Sequence, residues 1–443
     1  MRKAGRILLV ISLLFISGRF SFSQEKMILT LEKCIQLALT QNPYHLATEE
    51  RVEAAKSQVR EAASGFLPSL DAQGLRTLDE KVFELEFPSF IPGEPPQRVS
   101  VDFTRDYQLS LSLSVPIFTS GRLTSGFKQA KYNLYSTEEL YRHSQHITVF
   151  NARSAFYGYL LTKEFVRVAE EAVDIAEKLH NNVKRLYEVG MASKFDLLRS
   201  EVSVANIKPD LIKARNNLRI AELSLKTLLG LDLDRPVEIE GELTYEPYEP
   251  DLEESLSEAQ HNRPEISGLN FQKKAAGEML NLARASYFPT VVVAGTYNFW
   301  ADRLNFQKDT WQDFYAVNLV LNIPIFNGFA KSARVAQSKA LIRELELTKK
   351  GLEDTVKFEV NQAILKLREA KESLLSQERN VEQAQESLRI AELNYSEGMV
   401  TILDVYQAQV ALTRAKTNYS QALYDYVMSL ASLEKAVGVN WTD

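Results

Sequence analysis

The carboxylates with the clearest setting are Asp196, which closes the octet VGMASKFD at 189–196, and Asp404, which closes EGMVTILD at 397–404. Both octets read x-G-M-x-[S/T]-x-x-D, and they lie 208 residues apart. Carboxylates gathered around one axis can hold a cation and raise one another's pKa. Neither octet has a Cys, His or Gly-rich loop beside it, so neither is built as a catalytic centre. His143 and His146 are spaced i, i+3 on one helix face and could hold a metal. Only Glu138 and Glu139 accompany them, and the pair reads as a solvated helix surface. The chain offers no nucleophile–base pair, phosphate loop or metal-ligand cluster. It therefore reads as no enzyme, with no cofactor and no metal.

Each octet reads locally as a helix-hairpin turn. Gly190 and Gly398 allow a backbone that a Cβ would oppose. Ser193 and Thr401 stand where they can N-cap a following helix. Asp196 and Asp404 lie three residues on, at the acidic position of a capping box. Capping accounts for the glycine, the hydroxyl and part of the aspartate. It leaves Met191 and Met399 unexplained, as apolar side chains at an exposed tip. An adaptable thioether there suits a protein–protein contact.

The elements that carry these turns emerge from the whole chain of 443 residues. Arg2, Lys3 and Arg6 precede an apolar run from Ile7 to Ile16, and small residues Ser21 and Ser23 follow. Residues 1–23 are expected to be a secretory signal peptide, too short to span a bilayer. The only Cys, Cys34, lies too far on for a lipid anchor and excludes an internal disulfide. It reads as a small packed hydrophobe. Removing Arg2, Lys3, Arg6 and Arg19 takes the formal charge from -6 to -10, against nucleic acid or anionic lipid as partner. No apolar run beyond the leader is long enough for a membrane helix, but a β-barrel stays open.

The chain reads as a duplication. Leu31, Pro43, Ala54, Ala55 and Pro68 recur as Leu252, Pro264, Ala275, Ala276 and Pro289, at an offset of 221. Pro116-Ile117-Phe118 recurs as Pro324-Ile325-Phe326 at 208, as do Tyr187, Gly190, Met191 and Asp196 as Tyr395, Gly398, Met399 and Asp404. The offset changes where the first half carries the extra loop EFPSFIPGEPPQ. Each repeat reads helix, strand, strand, long helix, tip, helix. The first repeat is 24–230, with a helix from about Thr30 to Ala63, strands about 66–80 and 105–117, a long helix about 121–187 and a return helix 193–229. A Pro-rich acidic linker, 231–251, is expected at the waist. The second repeat is 252–443, with strands about 287–301 and 312–324, a long helix about 328–395 and a return helix 401–437. In YQLSLSLSVPIF, Leu109, Leu111, Leu113 and Val115 alternate with Ser110, Ser112 and Ser114, which puts apolar groups on one face of a strand and hydroxyls on the other. The long helices contain no Pro and hardly a Gly, and each spans roughly 100 Å at 1.5 Å per residue. Pro209, unmatched in the second repeat, should kink its helix near Val204 to Asn206.

Two strands per repeat make four per chain, and a closed barrel needs about eight. Lipid forbids an open edge. Three chains would supply twelve strands, with Ser and Asn lining a watery lumen and Leu and Val facing lipid. Phe66, Phe118, Tyr287, Phe288 and Phe326 mark one interface, and Phe83, Phe87, Phe299, Trp300, Trp311 and Phe314 the other.

The ordered segments LTLEKCIQLALTQNP, ASGFLPSL, LSVPIFTSGR, YEVGMASKFDLL and LLGLD, then RPEI, ASYFPT, LNIPIFNGF, YSEGMVTILDV and AVGV, resemble the TolC family of outer-membrane efflux proteins. The resemblance covers essentially the whole chain after the leader, and both halves match. It implies a mainly α fold with a membrane β-barrel: a homotrimer joining a twelve-stranded barrel to a twelve-helix periplasmic tunnel. It implies location in the outer membrane, extending into the periplasm. The implied role is the exit duct of a tripartite efflux system, working with a periplasmic adaptor (membrane fusion) protein and an inner-membrane transporter. Val189, Gly190, Met191, Glu397, Gly398 and Met399 match the family's adaptor-docking tips. Asp196 and Tyr395 match a periplasmic gate pair, and Asp404 matches an acidic ring at the aperture. The family's gate Arg is Val400 here, and a second acidic position is Gln407, so one charged latch is missing. Type I protein secretion is the alternative cargo route. An exported coiled-coil scaffold, soluble without detergent, is the alternative of another class.

Overall fold

The computed structural model describes residues 26–439, apart from 80–82, 90, 102–105, 306 and 308–309. The expected signal peptide lies outside the described residues. In chain order the elements are β1 (Met27–Leu29), α1 (Leu31–Gln41), α2 (Pro43–Ser64), β2 (Ser69–Arg76), β3 (Phe83–Phe87), β4 (Gln97–Val101), β5 (Tyr107–Phe118), α3 (Arg122–Glu188) and α4 (Lys194–Leu228). There follow β6 (Val237–Ile239), α5 (Leu252–Asn262), α6 (Pro264–Ala285), β7 (Thr290–Ala301), β8 (Gln312–Asn322), α7 (Ala330–Ser396) and α8 (Ile402–Val437).

Two expectations need correcting. The helix expected from about Thr30 to Ala63 is broken at Asn42, which is extended, with φ -66° and ψ 119°. Its side-chain Oδ1 accepts the N–H groups of Tyr44 and His45 at 2.9 and 3.1 Å, and Pro43 takes the first helical position. Asn42 thus ends α1 and caps α2. The expected loop EFPSFIPGEPPQ connects a hairpin that was not expected, β3 on β4, with Leu85 opposite Val99 and Glu86 opposite Arg98.

The main sheet runs β2-β5-β7-β8, antiparallel throughout. Its register sorts the side chains by polarity. Leu111 stands between Ala72 and Tyr297, whereas its neighbour Ser112 stands between Asp71 and Thr296. Because alternate residues face opposite sides, the Leu and Val of β5 share a face with Val317, Leu319 and Leu321 of β8. That apolar face is solvent-exposed, and among the described residues β2 and β8 leave their outer edges unpaired. A second, two-stranded sheet joins β1 to β6 in parallel, so the inter-half linker is tied to the start of the first half.

α3 and α7, each 67 residues long, run the length of the helical part. Toward the sheet the packing order is α2-α3-α6-α7; away from it the order is α4-α3-α8-α7. The result is a single layer of helices with α2 and α4 at one edge and α7 at the other. Three apolar clusters hold it. One joins α1, β1, β6 and α3 around Cys34 and Phe156. A second joins α5, α7 and α8 around Val360 and Tyr426. The third, around Val183 and Val405, lies near the helix ends farthest from the sheet. Cys34 is fully buried, and burial pushes its thiol up to about 12. Among the described residues no helix is long and apolar enough to cross a membrane.

Candidate functional site

The two helix reversals are built alike. α3 stops because Gly190 turns left-handed, at φ +80°, and Met191 N–H reaches back to the Leu186 carbonyl at 2.7 Å. α7 stops because Gly398 does the same, at φ +74°, and Met399 N–H reaches the Asn394 carbonyl at 2.9 Å. A Cβ at either glycine would meet nothing within 4 Å, so the backbone conformation requires glycine here, not lack of space. The next helix then needs a cap. Asp196 N–H donates to Ser193 Oγ at 3.0 Å, while Ser193 N–H and Oγ donate to Asp196 Oδ2 at 3.3 and 2.6 Å. At the other turn Thr401 N–H and Oγ1 donate to Asp404 Oδ2 at 2.9 and 2.6 Å. The bond from the Thr401 hydroxyl is the main reason the Asp404 carboxyl lies below its ordinary value.

Met191 and Met399 project from these turns, 74% and 64% exposed. Val189 and Glu397 beside them are also exposed. Lys194 stacks its ammonium over the Tyr187 ring, 5.5 Å from the centroid. Each tip is therefore an apolar knob on a rigid, capped turn.

Asp196 and Tyr395 come close enough to interact electrostatically. Burial, and then the Asp196 charge, raise the Tyr395 phenol. Within the chain no hydrogen bond joins them among the described residues, because the Asp196 carboxylate is engaged by Ser193. Sequence reasoning missed Tyr406 and Arg199. Burial and the nearby Tyr395 push the Tyr406 phenol up to about 12, with Arg199 opposing. Its hydroxyl is buried beside Ser200, whose side chain also holds the phenol down. Ser200, one turn after Asp196, is buried and shares a 2.8 Å contact with His180 Nδ1. Arg199 lies three residues past Asp196, on the same face by helical spacing. That spacing was the available signal, although the Arg199 guanidinium lies over the Phe195 ring, 5.7 Å from the centroid.

His143 does have an acidic partner, contrary to the reading of its neighbourhood. Glu265 at the start of α6 lies 3.1 Å from His143 Nδ1. Burial alone would raise the Glu265 carboxyl, but the bond from His143, its own backbone N–H and the Arg263 charge hold it down at about 2. Arg263 also donates to Glu359 of α7. The group stitches α3, α6 and α7 together. Among the described residues no three His, Cys, Asp or Glu side chains converge as metal ligands. A second buried pair, Arg153 on α3 and Glu434 on α8, fixes the same level of the layer. The linker is tied there too: the Tyr426 hydroxyl donates to the Glu246 carbonyl at 2.6 Å.

Residues 34–231 and 255–439 match the outer membrane efflux protein family. The chain is 24% identical over 420 residues to the probable efflux pump outer membrane protein TtgC of Pseudomonas putida strain KT2440, covering 93% of this chain and 83% of that protein. It is 23% identical over 313 residues to the outer membrane protein TolC of Vibrio cholerae, covering 67% and 69% of the two chains. Its fold matches the crystal structure of CusC with a TM-score of 0.75 at 19% identity, over 93% of this chain and 92% of that one.

Proposed function

The chain belongs to the TolC family of outer membrane efflux proteins, and from that premise we propose that it is the exit duct of a tripartite efflux system. The protein resides in the outer membrane. In the proposed assembly, three copies close a twelve-stranded barrel that continues as a twelve-helix periplasmic tunnel. One observation carries this reading. Among the described residues the β2-β5-β7-β8 sheet has two unpaired edges and an exposed apolar face, and the edges of the helical layer continue those of the sheet. In lipid such edges must be paired, and copies of the same chain can pair them in a ring.

The tips are the proposed contact with a periplasmic adaptor, which would link the duct to an inner-membrane transporter. Val189, Gly190 and Met191 form one tip, and Glu397, Gly398 and Met399 the other. Their support is exposed methionine on a turn far from the sheet. Asp196 and Tyr395 are the proposed gate pair, bonding between copies when closed, with Asp404 facing the aperture. Efflux is favoured over protein secretion by the likeness to TtgC, an efflux pump protein. Cross-linking of detergent-extracted protein should give three-chain species; a stable monomer with full strand content overturns the duct. Bulky replacements of Gly190 and Gly398 should abolish efflux while trimers persist. Loss of both together would make the tips structural. Tyr395→Phe with Asp196→Ala should raise single-channel conductance in planar bilayers, and unchanged conductance would place the gate elsewhere.

A further inference from the structure

Pro209 has no part in the function proposed above. It sits inside α4, where its missing N–H leaves the carbonyl of Ala205 without the usual helical donor. Next to it, α4 and α8 stand apart over α3 and enclose a cavity of about 520 Å³. That volume falls in the range of small-molecule sites. Phe165 and Val168 of α3, Ile207 of α4 and Val410 of α8 make its walls apolar.

One deeply buried polar side chain lines this cleft. Gln409 is 2% exposed, and its Nε2 donates to the Ala172 carbonyl at 3.0 Å. That bond fixes the amide, since the reversed orientation would set two acceptors against each other. The Oε1 atom is then left buried with no partner. Such orphaned acceptors are rare in native structures and call for a donor from outside.

The rim supplies charge. Lys208 and Arg215 of α4 pair with Glu177 and Glu170 of α3, and Lys416 of α8 pairs with Glu171. Lys213 of α4 and Arg414 of α8 border the cavity and have no ion-pair partner among the described residues. Asp210 is the single acid among the residues lining the cavity, against Lys213 and Arg414, and the other rim charges are paired, so the opening carries net positive charge.

We propose that this cleft binds a small amphipathic anion. Its flat apolar body lies against Phe165 and Val168, and its acid group meets Lys213 and Arg414. A hydroxyl or N–H at its other end donates to Gln409 Oε1. The site is made by three helices of one chain, so it stands whether or not the trimeric duct does.

The test uses the full-length protein in lipid nanodiscs, with 6-hydroxy-2-naphthoate as a fluorescent probe. Saturable binding at one site per chain is expected. Lys213→Glu with Arg414→Glu should weaken it at least tenfold, and both positions are exposed, so the fold should tolerate the change. Ala169→Phe, which fills the floor of the cavity, should abolish binding. Plain 2-naphthoate, lacking the donor, should bind more weakly, and Gln409→Met should erase that difference. No saturable binding overturns the proposal. So does binding that the charge reversal leaves unchanged, which would place the probe in lipid or elsewhere. A site that takes only helical peptides and not the probe would make the cleft a protein-docking groove and overturn it equally.

Discussion

The two return helices, α4 and α8, have nearly the same length, 35 and 36 residues, and the same start: a left-handed glycine, a hydroxyl cap and an aspartate three residues on. Their surroundings differ completely. α8 buries fifteen residues, because it lies between α3 and α7. α4 buries only Ser200, Leu225 and Lys226, because it lies at the rim of the layer along α3. Apolar content does not explain the difference. Val202, Ile212 and Ile220 of α4 are apolar and exposed. One helix has found its partners within the chain, and the other presents an apolar face that, under the ring reading, a second copy would cover.

The sharpest test sets a polar rivet of α8 against one of α4. Arg153–Glu434 joins α3 to α8 and is buried at both ends. Arg215–Glu170 joins α3 to α4 and is exposed at both ends. Removing one partner of a buried pair leaves an uncompensated charge and costs about 3–5 kcal/mol. An exposed pair contributes about 0–1 kcal/mol. Arg153→Met should therefore lower the melting temperature markedly, and adding Glu434→Leu should restore most of it. Arg215→Met should change little. Equal effects from the two single variants would mean that α4 is as enclosed as α8.

Apolar truncation makes the next comparison. Leu412→Ala in α8 removes a buried side chain and should cost about 2–5 kcal/mol. Ile212 in α4 is 68% exposed, and Ile212→Ala should leave the stability of a single chain within about 0.5 kcal/mol. If a neighbouring copy covers that face, the same variant should reduce the yield of cross-linked trimer. A drop in chain stability with no change in trimer yield would contradict an open rim.

The α2 part of the same rim should respond to acid. His45 of α2 is buried against α3, with its ring stacked on Tyr141 and Nδ1 3.2 Å from Ser144 Oγ. Burial lowers its pKa, with Glu49 opposing. Burial also lowers that of His146, helped by Arg142, His143 and Arg263 and opposed by Glu265. In both cases folding disfavours the protonated ring. The unfolded chain binds protons first, so stability present above about pH 6.5 falls as pH drops through the lower folded values. Melting temperature should decline from pH 7 to pH 5, and His45→Gln with His146→Gln should flatten that decline. Tips and α8 carry no buried histidine and should not contribute.

The sequence makes some of this architecture readable and hides the rest for physical reasons. Alternation through Leu109 to Val115 marks β5 because a strand has a period of two. The uninterrupted stretches that became α3 and α7 are legible because Pro and Gly are what break helices. The break at Asn42 was signalled by the Asn-Pro pair, which an Ala-rich periodic run masked. The β3–β4 hairpin was signalled by Phe-Glu-Leu-Glu-Phe, but the prolines around it suggested a loop. The His143–Glu265 contact could not be read locally, since the partners sit on different helices 122 residues apart. The Asp196–Tyr395 proximity came from resemblance, whereas Tyr406, on α8, is brought beside Tyr395, Arg199 and Ser200 only by the fold.

The smallest expected effect concerns the caps themselves, where the two helices begin alike. Losing a hydroxyl cap costs about 1 kcal/mol. Ser193→Ala and Thr401→Ala should therefore cost similar amounts of local free energy. The structural response of the two turns should differ. The first turn of α8 is anchored by Ile402 and Val405, both buried. The first turn of α4 holds Phe195 and Leu198, both exposed. Without Thr401 the packed turn should stay helical, held by its apolar contacts. Without Ser193 the turn keeps only Leu197, which is partly buried against the third apolar cluster, and it should fray more. Amide hydrogen exchange reads this directly: protection at 194–198 should fall in Ser193→Ala, while protection at 402–406 should hold in Thr401→Ala. Acid gives an independent check. The Asp404 carboxyl lies below its ordinary 3.8, so its contribution is complete above that value and is lost as pH falls through the lower folded one. Thr401→Ala should weaken that acid dependence, leaving the part due to the backbone N–H groups, without unfolding the turn. If both turns fray equally, burial is not what distinguishes α8 from α4 at the tip, and the contrast between the two helices applies only above it.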